Sequence, residues 1–96
     1  MTSLTIIGRR WFQKTYGNTS NTAQIIVDGE TLVTTPRQYG YGEHYLDIAA
    51  DTLERMGLIT RQQYANGGHQ PLWQWAQENG VKFSYQTIDV ARQKDL

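Results

Sequence analysis

Cysteine is absent from this 96-residue chain, and its absence excludes disulfide frameworks, zinc–thiolate sites and cysteine nucleophiles. Proline is scarce, with 2 residues, and no apolar run approaches the ~20 residues that a membrane-spanning helix needs. The start of the chain, Met1–Leu4, also lacks the charged and apolar blocks of a signal peptide. These absences predict a cytoplasmic protein that does not cross a membrane.

The chain also has no excess of positive or negative charge. Nine Lys and Arg residues balance nine Asp and Glu residues, so the formal net charge is +0. A global basic field that would attract nucleic acid or an anionic membrane is therefore excluded, and any such binding must be local. The charge is nevertheless uneven, because residues 1–27 contain Arg9, Arg10 and Lys14 and no acidic residue. The length supports one small core, and we expect residues 1–96 to form a single domain.

The first third of the chain has the residue types of β-strands. Leu4 to Trp11 is rich in β-branched and aromatic residues, and the polar stretch after it, Thr15 to Asn21, predicts a loop. Asp28-Gly29 then predicts a tight type I′ hairpin between two further strands. A two-residue turn at this position pairs Val27 with Glu30 and Ile25 with Leu32.

The middle of the chain has three helical patterns. Apolar residues recur at helical spacing from Glu43 to Met56, and Gly57 is suited to the left-handed cap that ends such a helix. A capping-box pattern at Thr60–Gln63 predicts a short second helix. Pro71 suits the first position of a third helix, which ends at Asn79-Gly80.

A last strand is predicted from Val81 to Tyr85, where apolar and polar residues alternate. Ile88 has the opposite phase, which indicates a bulge or the end of the strand near Gln86. The element order β-β-β-α-α-α-β predicts an α+β fold, with a small, mainly antiparallel sheet and helices packed on one side.

Basic and aromatic residues adjoin in the first strand. Arg9 and Arg10 lie on opposite faces of this strand, and Trp11 and Phe12 are their aromatic neighbours two positions away. An arginine beside an aromatic ring can stack on a base or hold a phosphate. The alternative is an arginine at the edge of the sheet that covers the tryptophan and pairs with Asp47 or Asp51.

Acidic residues recur in the first predicted helix. Glu43, Asp47 and Asp51 are four residues apart, which aligns three like charges along one helix face. The face is either solvated, neutralised by the chain's own basic residues, or a stripe that binds a basic partner. No companion loop of oxygen ligands accompanies these carboxylates, so we expect no metal site.

The segment Tyr39-Gly40-Tyr41-Gly42 gathers aromatic residues just before a helix N-terminus, where free amides can hold an anion. The second interpretation is that its glycines bend the chain while its tyrosines pack in a small satellite core. His44 and His69 are the only histidines, and neither has the sequence context of a catalytic or zinc site. No cofactor is indicated.

Two segments carry a resemblance to a group of known proteins. The run from Gly8 to Thr19 contains Arg-Arg-Trp-Phe and Gly-Asn-Thr, and Tyr-Gly-Tyr-Gly opens the segment from Tyr39 to Tyr45. Together they resemble short proteins of bacteriophage and prophage type. The resemblance implies a phage context, in which small cysteine-free chains are often non-catalytic inhibitors of host defence that occupy a surface.

Three hypotheses about function follow. The first is a non-enzymatic phage-type binding protein, such as an anti-CRISPR inhibitor, that contacts a host protein in the host cytoplasm. Aromatic and arginine anchors dominate protein interfaces, so its candidate residues are Arg10, Trp11, Tyr39 and Tyr41. The alternative is a small module that binds nucleic acid or a nucleotide through the Arg9–Lys14 strand and the Tyr39–Gly42 loop. The third is a hydrolase or transferase that uses His44 with a neighbouring carboxylate, for which the sequence offers no identifiable nucleophile.

Overall fold

A computed structural model describes residues 1–96 as one sheet with two α-helices. The strands are β1 (Ser3–Gln13), β2 (Asn18–Val27), β3 (Glu30–Thr34), β4 (Gln38–Tyr39) and β5 (Lys82–Asp89); the helices are α1 (His44–Arg55) and α2 (Leu72–Glu78). A short 3-10 turn follows at Gln93–Asp95. The α+β class predicted from the sequence is confirmed.

The sheet is mainly antiparallel, as predicted, but it is mixed, because one of its four strand pairings is parallel. Its strand order is β3-β2-β1-β5, and the short strand β4 also pairs with β2. β1 is antiparallel to β2 but parallel to β5. Parallel strands need a crossover connection, and the segment that contains α1 and α2 carries the chain back to the far side of β1.

The predicted hairpin turn is confirmed at Asp28-Gly29. Both residues have positive φ, 50° and 85°, and Val27 pairs with Glu30. The predicted pairing of Ile25 with Leu32 is wrong, because a register shift at Ile25/Ile26 places Ile25 opposite Val33. Val33 consequently packs against the core, while Leu32 is exposed.

One predicted helix is missing. The helix at Glu43–Met56 is present as α1, and Gly57 follows it at φ 76°. The capping-box segment that starts at Thr60 is a loop instead, because the buried side chain of Gln70 accepts a hydrogen bond from the Gln62 amide at 3.2 Å. The backbone amide of Gln70 also donates to the Gln62 carbonyl at 2.8 Å, so these backbone groups are bonded across the loop rather than along a helix.

Neither the bulge nor the strand end predicted near Gln86 is present, because β5 continues to Asp89. β5 pairs with β1 without a register shift from Lys82 to Asp89, so Ile88 lies on the face opposite Phe83. Both faces of β5 therefore carry an apolar side chain.

The core lies between the sheet and the two helices. β1 and β2 contribute alternate residues to it, and the opposite face of the sheet, which we call the open face, has no helix on it. Neither helix is long and apolar enough to cross a membrane. The core contains 13 buried residues: Leu4, Ile6, Ala23, Ile25, Tyr45, Ala49, Ala50, Leu53, Ile59, Leu72, Trp75, Ala76 and Val81.

Candidate binding surface

Adjacent residues of β1 point to opposite sides of the sheet, which divides the predicted site. Leu4 and Ile6 are core residues, so Arg10 shares their face, while Arg9 and Trp11 lie on the open face. The structure therefore brings Arg9 and Trp11 together but does not bring Arg10 and Trp11 onto one surface.

A row of three residues crosses the open face. Ser20 in β2 pairs with Trp11 in β1 on one side and with Tyr39 in β4 on the other. Cross-strand partners project from the same face, so two aromatic side chains flank the small serine. Ser20 is only 1% exposed although no helix lies above it, which indicates that its neighbours cover it.

Four exposed aromatic residues lie at the end of the sheet formed by the β1–β2 hairpin. Phe12 pairs with Thr19, and the Thr19 carbonyl accepts a hydrogen bond from the Gly40 amide at 3.0 Å, which attaches the following segment to this end. We call this group the aromatic end; its members are Phe12 (55% exposed), Tyr16 (73%), Tyr39 (64%) and Tyr41 (69%).

Tyr41 belongs to the aromatic end through a direct contact. Its hydroxyl donates a hydrogen bond to the Gly17 carbonyl at 3.4 Å, in the turn of the β1–β2 hairpin. Tyr16 precedes this glycine in the same turn. The tyrosines of the Tyr-Gly-Tyr-Gly segment therefore lie in the open, and the interpretation as a buried satellite core does not apply to them.

The open face carries cations but no carboxylate. Arg9 donates to the side chain of Gln24 at 3.0 Å, and the guanidinium of Arg37 lies 5.8 Å from the ring centroid of Tyr39, within range of a cation–π contact. The strand residues on this face are Ser3, Thr5, Ile7, Arg9, Trp11, Gln13, Asn18, Ser20, Thr22, Gln24, Ile26, Thr31, Thr34, Tyr39, Lys82, Ser84, Gln86 and Ile88.

Arg10 holds the segment before α1 rather than facing solvent as a free anchor. Its guanidinium donates to both carboxylate oxygens of Asp89 at 2.9 and 3.2 Å and to the Gly42 carbonyl at 3.0 Å. The hydrogen bonds to Asp89 raise the pKa of Arg10 above its ordinary value. Arg10 thus links β1, β5 and the loop that carries Tyr41.

The three acidic residues of the predicted stripe, Glu43, Asp47 and Asp51, have different surroundings. Asp51 accepts a hydrogen bond from Arg61 at 2.9 Å, and the same guanidinium bonds Glu54. Glu43 and Asp47 remain exposed, and the side chain of His44 lies 3.9 Å from that of Asp47, measured between Nδ1 and Oδ2. The predicted stripe is therefore neutralised at Asp51 by Arg61, and none of its members pairs with Arg9, Arg10 or Lys14.

Three consecutive residues of β2 bury a side-chain oxygen that has no hydrogen-bond partner within the protein: Ser20 Oγ, Asn21 Oδ1 and Thr22 Oγ1. Asn21 uses its amide nitrogen instead, which donates to the Gly40 carbonyl at 3.2 Å. This bond adds a second connection between β2 and the Tyr39–Gly42 loop. No group of three or more His, Asp or Glu side chains is placed to hold a metal ion.

Sequence reasoning missed Tyr16 and Arg61. Tyr16 lies in the turn between β1 and β2, where no neighbouring strand covers its ring. The sequence predicts a loop from Thr15 to Asn21, and the turn can be identified only once Asn18–Asn21 is known to belong to β2. For Arg61, the capping-box pattern predicts a helix that does not form.

No protein-family model, curated protein sequence or solved structure matches this chain.

Proposed function

We propose that this chain is a non-enzymatic binding protein that acts by covering a surface of another protein through its aromatic end. In the phage context implied by the sequence resemblance, such a protein would be an inhibitor of host defence. The observation that carries the proposal is the placement of four aromatic side chains, each more than half exposed, at one end of the sheet, with Tyr39 on its open face and Phe12 on its helix face.

Exposure of several aromatic side chains to water is unfavourable, because their apolar surface is more stable when it is buried. Tyrosine and phenylalanine supply large contact areas with few rotatable bonds, and they are enriched where proteins meet. Arg10 and Asn21 hold the Tyr39–Gly42 loop to the sheet, so the aromatic end is preorganised, which lowers the entropic cost of binding.

A second candidate function is the binding of single-stranded nucleic acid on the open face, and it is supported by the lack of carboxylates there. Trp11 and Tyr39 flank Ser20 on this face, and Arg9 lies two residues from Trp11 in the same strand. Stacking of bases on aromatic residues beside a cation is how many sheets hold single-stranded nucleic acid. The few cations on this face predict weak binding, with a salt dependence set by the number of phosphates contacted.

Site-specific photo-crosslinking in bacterial cells tests both functions. A photoreactive phenylalanine analogue replaces Tyr41 in one variant and Tyr16 in another, and Tyr64 provides a matched position because it is an exposed tyrosine outside the aromatic end. We expect the first two variants, but not the third, to give one discrete crosslinked protein that survives nuclease treatment. Crosslinks that nuclease removes would support nucleic acid instead, and equal crosslinking from all three positions would contradict a specific surface.

Titration of the purified crosslinked protein then measures the contribution of each side chain. Tyr16→Ala and Tyr41→Ala should each weaken binding by about 30-fold, the effect of losing about 2 kcal/mol at a hot spot. Tyr64→Ala should change the affinity less than threefold. Affinity should vary little between about 50 and 200 mM salt, whereas binding through phosphates would fall steeply over that range.

A further inference from the structure

The outer edge of β5 is an unpaired strand edge. β5 pairs with β1 alone, and the amides of Lys82 and Val90 donate to the carbonyls of Thr2 and Arg10. Because the ladder alternates, the even-numbered residues between them bond to β1, and the odd-numbered residues direct their backbone groups away from it. No residue of the chain bonds these outward backbone groups, which belong to Phe83, Tyr85, Thr87 and Asp89.

The opposite edge of the sheet is protected by contrast. It consists of the five-residue strand β3 and the two-residue strand β4, with Pro36 between them. Short strands and proline are common devices that prevent further strand pairing. β5 has eight residues, no proline, and charged side chains only at Lys82 and Asp89. One edge of this sheet is therefore closed to another strand and the other is open.

An apolar groove lies on the helix side of β5, next to the open edge. Its volume is about 350 Å³, and it lies between α1, the start of α2, and β5. Trp73 and Tyr85, which line it, are 57% and 48% exposed. The apolar lining consists of Leu46, Pro71, Leu72, Trp73, Phe83 and Tyr85.

Two carboxylates form the charged part of the groove. Glu43 and Asp47 line it together with the apolar residues, and neither is paired with Lys or Arg. Lysine and arginine are absent from the lining. The groove thus matches a strand that has apolar side chains and a cation on one face.

We propose that the β5 edge binds an extended segment of a partner protein as an added strand, with alternate apolar and basic side chains of that segment in the groove. Main-chain hydrogen bonds to Phe83, Tyr85 and Thr87 would provide affinity, and the groove would select side chains. This surface lies at the opposite edge of the sheet from β4, so the proposal does not depend on the aromatic end.

A second copy of this chain fits the edge less well. If two β5 strands paired antiparallel, the side chains that the second copy directed to the helix side would be Phe83, Tyr85, Thr87 and Asp89, none of which is cationic. Lys82 lies on the open face. A second copy would therefore leave Glu43 and Asp47 without a positive partner, whereas a basic segment would neutralise them.

The test uses two acetylated and amidated heptapeptides, Val-Thr-Lys-Thr-Val-Thr-Val and the same peptide with Glu in place of Lys. Amide hydrogen exchange of the full chain is measured by NMR with and without each peptide. We expect the lysine peptide to slow exchange of the outward Phe83, Tyr85 and Thr87 amides at least tenfold. The Ser84 and Gln86 amides, which already bond to β1, should change less than twofold and serve as the internal control.

Three variants and one dilution series complete the experiment. Tyr85→Pro removes an outward N–H at an edge position where proline is tolerated. In this variant the lysine peptide should no longer slow exchange of the Phe83 and Thr87 amides, whereas in Tyr85→Val it should still do so. The glutamate peptide should bind at least fivefold more weakly than the lysine peptide, and Asp47→Lys should reverse this order. Unchanged outward amides with both peptides, or equal binding of both, would overturn the proposal. Slowing that instead grows with protein concentration in the absence of peptide would show that a second copy occupies the edge.

Discussion

The aromatic ring of Tyr45 occupies the space into which a side chain at Gly8 would project. Tyr45 is fully buried, and its hydroxyl lies 2.6 Å from Thr87 Oγ1 in β5. A single residue of α1 therefore packs on β1 through its ring and bonds β5 through its hydroxyl. The lack of a side chain at position 8 is what allows α1 to lie this close to the centre of the sheet.

Gly8→Ala should destabilise the protein, because the new methyl group would overlap the ring of Tyr45. Overpacking of this kind costs about 1–3 kcal/mol, measured as the free energy of unfolding in urea. Tyr45→Phe retains the ring and loses only the hydrogen bond to Thr87, so it should cost about 1 kcal/mol. A Gly8→Ala protein as stable as the wild type would show that α1 does not pack this closely on β1.

Arg61 should be the most important charged side chain for stability. Its side chain is 3% exposed and bonds Asp51, Glu54 and the Gln70 carbonyl. Arg61→Ala should cost about 2–3 kcal/mol, somewhat less than for a fully buried ion pair, because the released carboxylate of Asp51 is 62% exposed and can hydrate.

The matched control for Arg61 is Asp51→Asn, which alters only the exposed partner and should cost less than about 1 kcal/mol. Thermal or urea unfolding of the two variants compares them directly. Similar losses from both substitutions would mean that the pair with Asp51, rather than the burial of the guanidinium, accounts for the stability.

Asp28 should make stability depend on acid pH. Its carboxylate accepts hydrogen bonds from the backbone amides of Ser3 and Thr2, at 2.9 and 2.7 Å, and these bonds lower its pKa below the ordinary value of 3.8. A group with a lowered pKa in the folded state stabilises the fold above its unfolded pKa and loses that contribution as the pH falls through the folded value.

Asp28→Asn retains a residue that tolerates the left-handed turn but removes the titration. We therefore expect the melting temperature of the variant to fall less steeply than that of the wild type as the pH is lowered from about 5 to below 3.8. Melting curves across this range provide the measurement. Parallel profiles for the two proteins would contradict a role for the Asp28 charge in holding the start of β1.

Local signals in the sequence were sufficient for the hairpin and for α1. Asp28-Gly29 has the residue types that positive φ requires, and the structure has both residues there. Gly57 likewise marks the end of α1. In both places the conformation depends on the residues themselves, so the rest of the chain is not needed to predict it.

Features that depend on distant residues were not predictable. Alternation within β5 is the same for a parallel and an antiparallel strand, so nothing in Lys82–Asp89 indicates its direction relative to β1. The register shift at Ile25/Ile26 changes which side of the sheet the residues of β3 face, and the local sequence does not indicate it. The aromatic end was predicted in part. Tyr39 and Tyr41 are two positions apart in the sequence, so their proximity is a local feature, whereas Tyr16 joins them only through the β1–β2 hairpin.

The parallel pairing of β1 with β5 joins residues that are 79 positions apart in the chain. During synthesis, β1, β2 and β3 emerge well before β5, so β1 is an edge strand of a three-stranded meander until the last strand is made. Contacts of such high sequence separation slow folding, because a long loop must close before they form. Released chains that are truncated before Lys82 should therefore expose the backbone edge of β1 and depend on chaperones, whereas released chains that include Asp89 should not.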